Sequence, residues 1–229
     1  QLLSKNYVEH STSQFRFDYQ PEFLIWALKS PNWNPTLLVG IRVKASKKLI
    51  GFISAIPASF KTAQSNQVKA SEVNFLCVHK KLRSKRMAPM LIREITRRSH
   101  LLGVRQGVFT AGIVLPEPFA VARYFHRPLN PLKVLACNFC DDLSERDIAH
   151  LIPKFSVDPF ELKQPFKYRK TLPQDIPEMF EIFNSYFRQF AFTPLFSLEE
   201  FKYWMLPREG VLYSYVFVGE SDEIVAFYS

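Results

Sequence analysis

The stretch from Glu72 to Pro89, EVNFLCVHKKLRSKRMAP, is where this chain concentrates side chains able to do chemistry. Val73, Phe75 and Cys77 alternate as the apolar face of a strand. Lys80, Lys81, Arg83, Lys85 and Arg86 then crowd a short loop, and Pro89 is placed to open a helix with apolar positions at Met87, Leu91, Ile95 and Leu102. Strand, cationic loop and helix start together make an anion receptor. The first N–H groups of a helix have no intrahelical partner, and the dipole favours negative charge beside them. A phosphate set there accepts those N–H bonds and charge-assisted bonds from Lys and Arg. On residue types alone the same loop also reads as a solvated basic turn.

The elements that must hold this loop follow from periodicity and punctuation. Tyr7, then Phe15, Phe17 and Tyr19, alternate with polar residues as an extended segment with one aromatic face. Pro21 opens a helix through Leu28, and Pro31 stops it. Strands are predicted over 37–43 and 49–56, joined by a Lys-rich turn at 45–48. Beyond the helix over 89–102, Gly103 is a stop, 108–114 a strand, and 119–125 a short helix after Pro116 and Pro118. Residues 141–166 are polar, contain Pro and lack a period, which marks a linker. Asp175 and Glu178 form a capping-box pattern ahead of Ile176, Met179, Phe180, Phe183, Phe187 and Phe190 at helical spacing. Ser197 and Glu200 form a second box ahead of Phe201, Trp204 and Met205, and strands over 211–219 and 224–228 flank a turn.

With 229 residues, 47% of them hydrophobic and 22 of them Phe, the chain has ample material for a buried core. No apolar run is long enough to span a bilayer, which argues against stable membrane insertion. The chain opens at Gln1 without a charged-then-apolar leader, and reads as a trimmed cytoplasmic protein. Cys137 and Cys140 have C-x-x-C spacing, but Cys77 is the only other cysteine and no second pair completes a zinc site. Reduced thiols and no metal are the expectation. The net charge of +9 gathers between Lys80 and Arg98 rather than along a stripe. That distribution suits a polyphosphate ligand better than a duplex, so nucleic acid is the lesser reading.

The run NFLCVHKKLRSKRMAP, followed by ITRR (Ile95 to Arg98), TAG (Thr110 to Gly112) and RYFHRPLNP (Arg123 to Pro131), resembles the N-myristoyltransferases, glycylpeptide N-tetradecanoyltransferases. The similarity extends upstream through NYVEH and FRFDYQPEFLIWAL and more weakly to the last residue, as the N-terminal and central portion of the family's protein. The resemblance implies an α/β (α+β) acyl-CoA N-acyltransferase (GNAT-like) fold, a mixed sheet flanked by helices. It implies an acyl-CoA-binding acyltransferase domain over 1–145, a linker over 146–166, and over 167–229 the beginning of a second, similar unit. The pyrophosphate loop of that fold usually runs Gln/Arg-x-x-Gly-x-Gly/Ala. Here Arg83 and Ala88 match its ends while Arg86 takes the first Gly position, as in the family's own version.

The implied activity is transfer of a myristoyl group from myristoyl-CoA to the N-terminal glycine of a protein, by direct attack of the amine on the thioester. Acyl-CoA and N-terminal glycine peptides are the implied partners. Backbone N–H groups of Phe75 and Leu76, at a strand bulge, would form the oxyanion hole. Leu76, Cys77, Val78, Ser84, Lys85, Arg86, Met87 and Ala88 would hold the cofactor. Thr110 would sit near the acceptor amine, and Tyr7, Val8, Glu9, Phe15, Phe17, Tyr19, Tyr124 and His126 would line the peptide groove. Where the family carries several acidic residues after Tyr-Val-Glu, this chain has His10, Ser11 and Thr12. The family's base is its own terminal carboxylate, and Ser229 does not match that segment. The chain alone is therefore expected to turn over little. The alternatives are a non-catalytic acyl-CoA-binding module and a basic surface for nucleic acid or membrane.

Overall fold

The structure, a computed structural model, describes residues 1–8, 15–125, 127–139, 149–150, 152–154 and 167–229. Contacts divide it into two compact units, Gln1–Thr110 with Pro165–Ser229, and Ala111–Gln164.

In the first unit the described strands form two sheets. The larger follows the order β1 (Leu38–Arg42), β2 (Leu49–Lys61), β3 (Val68–Val78), β4 (Gln106–Val108), with β6 (Thr193–Leu195) added to β2. β1, β2 and β3 are antiparallel; β4 runs parallel to β3 after the crossover helix α3 (Met87–Leu101). β2 continues five residues past the predicted end at Ile56, because β3 pairs with it as far as Phe60 and β6 pairs with Ser59–Lys61 where β1 has left off. Pro57 falls between those two pairings, where a missing N–H costs no bond on that edge. The smaller sheet is β5 (Lys167–Lys170), β7 (Tyr215–Val218), β8 (Ile224–Tyr228), all antiparallel. The mixed sheet flanked by helices is the expected fold class.

Each sheet has its own core. Leu37, Val39, Ile53, Ala55 and Val78 pack under Leu91 and Ile95 of α3. Ile176 and Met179 of α5 (Ile176–Phe187) and Phe201 of α6 (Leu198–Met205) pack on Val216, Val218 and Ile224. Burying a large apolar side chain stabilises by about 1.5–3 kcal/mol, so these rows anchor the helices to the sheets. α1 (Leu2–Asn6) and α2 (Pro21–Leu28) complete the unit; α2 has the predicted bounds.

Several expectations are corrected. α3 begins at Met87, not at Pro89, which stands in the first turn where its missing N–H is not needed. The strand over 108–114 is instead Gln106–Val108, paired with Ala70–Glu72; continued, it would meet Val73 and then Asn74, where the pairing of β3 is interrupted. Residues 119–125 form no helix, and Phe119, Val121, Tyr124 and Phe125 are exposed. Apolar residues spaced for a helix form one only when a surface buries them. The box at Asp175 and Glu178 does not form: Asp175 accepts the Leu172 N–H at 2.7 Å and the Arg169 guanidinium, while Glu178 accepts the Ile224 N–H at 2.8 Å. The box at Ser197 and Glu200 does form. In the second unit α4 (Pro131–Ala136) is capped by the Asn130 side chain, and most of the predicted linker lies outside the described residues.

Candidate acyl-CoA site

β3 carries a bulge at the centre of the predicted site. Phe52 pairs with Cys77 and Ser54 with Asn74, leaving Phe75 and Leu76 opposite Ile53 alone. Phe75 absorbs the extra residue with φ of 56°, the left-handed region that side chains disfavour. The buried Ser54 hydroxyl donates to the Asn74 carbonyl at 2.9 Å and pins the kink.

The extra residue switches the parity of the strand. Val73, Leu76 and Val78 pack toward α3, whereas Phe75 and Cys77 turn to the other face. The expected single face of Val73, Phe75 and Cys77 is therefore corrected, since strict alternation cannot survive a bulge. On that other face Phe75 meets Tyr7 (5.9 Å between ring centroids) and Tyr19 (5.6 Å), and Cys77 lies on Leu2 of α1. Burial pushes the Cys77 thiol up to about 11, so it stays protonated near neutrality and is a poor nucleophile. Burial also raises Tyr7, with Tyr19 adding to the shift, while a hydrogen bond from the Phe75 amide works against it.

Past Val78 the chain turns through a 3-10 segment, Lys80–Lys85, capped by the His79 ring, which accepts the Lys81 N–H at 3.3 Å. Arg86 then takes φ 53° and ψ 32°, and this left-handed residue redirects the backbone into α3. Ser84, Lys85 and Arg86 are exposed, and Met87 and Ala88 lean on the first core. The unpaired amides at the start of α3 thus lie beside Lys85 and Arg86, the geometry an anionic ligand needs. Farther along α3, Arg97 and Arg98 are both committed to Glu94, at 2.8 and 2.6 Å, and Arg98 also donates to the Thr36 carbonyl. Those two arginines hold the Glu94 carboxyl down at about 2. Charge available to a ligand is therefore concentrated in the loop more than along the helix.

An aromatic row borders the bulge: Phe17 stacks on Tyr19 (5.7 Å), Tyr19 on Phe23 (5.2 Å), and Phe23 contacts Trp26 (5.7 Å). Trp26 meets Trp204 edge-on at 5.0 Å, and the Tyr203 hydroxyl donates to the Trp26 carbonyl at 2.8 Å. Val8 is half exposed with φ of 37°, and Phe15 is partly buried. Thr110 is exposed beyond the end of β4, and Tyr124 is exposed in the second unit. Glu9, His126 and Cys140 lie outside the described residues; Cys77 and Cys137 are free thiols.

Sequence reasoning missed Asn6, a buried amide tied to the cationic loop, and Glu72, whose carboxyl is raised by burial and receives the Asn74 side-chain N–H at 3.2 Å. Asn6 stands one residue before the aromatic segment, and nothing in the pattern marks it. No group of metal-ligating side chains occurs among the described residues, and no helix there is long and apolar enough to cross a membrane.

Comparison with known proteins gives the chain its family. Residues 1–122 match the family model for the N-terminal domain of myristoyl-CoA:protein N-myristoyltransferase, and residues 137–229 match the model for its C-terminal domain. The chain is 46% identical over 228 residues to glycylpeptide N-tetradecanoyltransferase 2 of Bos taurus, and 44% identical over 223 residues to the Drosophila melanogaster enzyme. These alignments take in 100% and 97% of this chain but 45% and 47% of the relatives. The crystal structure of Saccharomyces cerevisiae N-myristoyltransferase with bound myristoyl-CoA superposes with a TM-score of 0.86 at 40% identity, over 99% of this chain and 52% of that one. The chain thus spans about half the length of the curated relatives it matches. Matched by the models of both domains and superposing on a solved member along nearly all its length, the chain belongs to the N-myristoyltransferase family.

Proposed function

We propose that this chain binds myristoyl-CoA and serves the transfer of its acyl group to the N-terminal glycine of an acceptor protein. The observation that carries this reading is the continuity of bulge, cationic loop and helix start between Phe75 and Met87. Interrupted pairing frees backbone donors for a carbonyl oxygen a short walk from unpaired amides and cations for phosphates.

In the proposed reaction the thioester oxygen accepts N–H bonds from Leu76 and from Phe75, taking the place of the Tyr7 hydroxyl at the Phe75 amide, and these bonds stabilise the negative charge that develops as the amine attacks. The C–N bond forms, the C–S bond of the tetrahedral intermediate breaks, and CoA departs as thiolate. The proton lost by the amine passes to a carboxylate, which the resemblance assigns to the family's C-terminal segment. Leu76, Cys77 and Val78 would flank the thioester arm, with Ser84 through Ala88 on the nucleotide phosphates. The row of Tyr7, Phe17 and Tyr19 with Val8, Glu9 and Phe15 would receive the acceptor peptide, with Thr110 near its amine end. The same reading places the work in the cytoplasm, with 1–145 as the acyl-CoA-binding domain, 146–166 as linker and 167–229 opening a second similar unit.

Displacement of a fluorescent acyl-CoA tests the reading. Excess CoA is expected to release the probe, whereas duplex DNA at equal phosphate concentration is not. Release by DNA and not by CoA overturns the proposal.

A further inference from the structure

The geometry points to Asn6 as a positioning residue that sets the cationic loop against the β3 bulge. This rests on the proposed binding of acyl-CoA at that loop, and names a residue outside it that governs its shape.

Three polar groups of Asn6, both ends of its side-chain amide and its backbone carbonyl, are engaged, and only 5% of the residue is exposed. Its side-chain oxygen accepts the Lys80 N–H at 2.9 Å, and that amide opens the 3-10 turn. Its side-chain nitrogen donates to the Leu2 carbonyl at 2.9 Å, which locks the rotamer. Its backbone carbonyl accepts the Arg83 guanidinium at 2.8 Å. Two points of the loop, its first amide and its Arg83 side chain, are thus held by one residue far away in sequence. The next residue, Tyr7, packs on Phe75 in the bulge, and Leu2 of the same helix touches Cys77. Asn6 and Tyr7 therefore bridge the place for phosphates and the place for the thioester, and fix their separation. A buried amide with every group satisfied is a costly arrangement to lose, because removal of the side chain leaves the Lys80 N–H without its acceptor.

The consequence is selective. A shifted loop should weaken recognition of the nucleotide half of the ligand and leave the acyl-pantetheine half, read by β3, unaffected. We would compare myristoyl-CoA with myristoyl-pantetheine as ligands for the wild-type chain, Asn6→Ala, Lys80→Ala and Lys80→Pro. Lys80→Pro removes the N–H that Asn6 accepts, at the first position of the 3-10 turn where proline is well tolerated, and Lys80→Ala controls for the lost ammonium. Asn6→Ala is expected to weaken myristoyl-CoA binding about five- to tenfold, the loss of one buried hydrogen bond, while myristoyl-pantetheine stays within about twofold. Lys80→Pro should exceed Lys80→Ala by a similar factor for myristoyl-CoA alone. If Asn6→Ala does not fold, the two Lys80 variants decide the matter. Equal losses for both ligands, or no difference between the Lys80 variants, overturn the inference. Wild-type binding that is indifferent to the nucleotide half overturns instead the acyl-CoA reading on which it rests.

Discussion

Arg86 carries two burdens that a pair of substitutions can separate. It holds a left-handed backbone at φ 53° where the turn becomes α3, and its guanidinium stands at the proposed phosphate site. For an L-residue the left-handed region costs roughly 1–2 kcal/mol, and glycine escapes that cost while losing about 0.5–1 kcal/mol to the flexibility of the unfolded chain. Arg86→Gly should therefore change stability by about 0 to 1.5 kcal/mol in the favourable direction. Arg86→Ala keeps the Cβ and the strain, and should stay within about 0.5 kcal/mol of wild type. Both lose one charge-assisted contact to phosphate, which corresponds to about 1.5–3 kcal/mol, so CoA affinity should fall roughly 10- to 150-fold in each. Thermal unfolding and displacement of a fluorescent acyl-CoA, run in parallel on the three proteins, read the two effects apart. Wild-type affinity in Arg86→Gly together with a loss in Arg86→Ala would show that loop shape, not charge, holds the ligand. Unchanged affinity in both would remove Arg86 from the site.

Other expectations follow from packing, charge and the proposed chemistry. Phe201→Ala should cost about 3–5 kcal/mol in urea unfolding, because the ring is fully buried between α5 and the second sheet. Asp175 has its carboxyl lowered below the usual value of 3.8, chiefly by Arg169, so its stabilising effect is present above that value and is lost as pH falls through the lower folded value. Asp175→Asn should thus lower the urea midpoint at pH 7, and the gap to wild type should close on acidification below about pH 4; a gap independent of pH refutes the pairing. β8 is an edge strand with Val225 exposed, so Val225→Lys should reduce self-association measured by light scattering. A Gly-initiated peptide mixed with myristoyl-CoA and residues 1–229 alone should be acylated little, since an amine of pKa about 7.7–8.0 is partly protonated and needs a base. Fast transfer would place the base within this chain, with His126→Ala the first variant to make.

Local physics made much of this protein legible before any coordinates. α2 follows from Pro21 and Pro31, the stop at Gly103 from the freedom of glycine to take a left-handed φ, here 77°, and the cap of α6 from Ser197 and Glu200. Each depends on neighbours within a turn of the chain, so residue type and spacing suffice. The cationic loop was legible for the same reason, as its charges are consecutive. What tertiary structure alone decided involves partners far apart in sequence. Strand periodicity could not place the bulge, because the extra residue is defined only by β2 pairing against it, and that pairing reverses the faces of Phe75 and Cys77. Asp175 abandons its cap for Arg169 and Leu172, and the aromatic residues of 119–125 stay out of a helix, because competing partners and missing burial outweigh local preference. Asn6 meets Lys80 and Arg83 only because α1 lies against the end of β3, a contact between segments more than seventy residues apart. A buried amide like this looks like any surface asparagine until the fold encloses it.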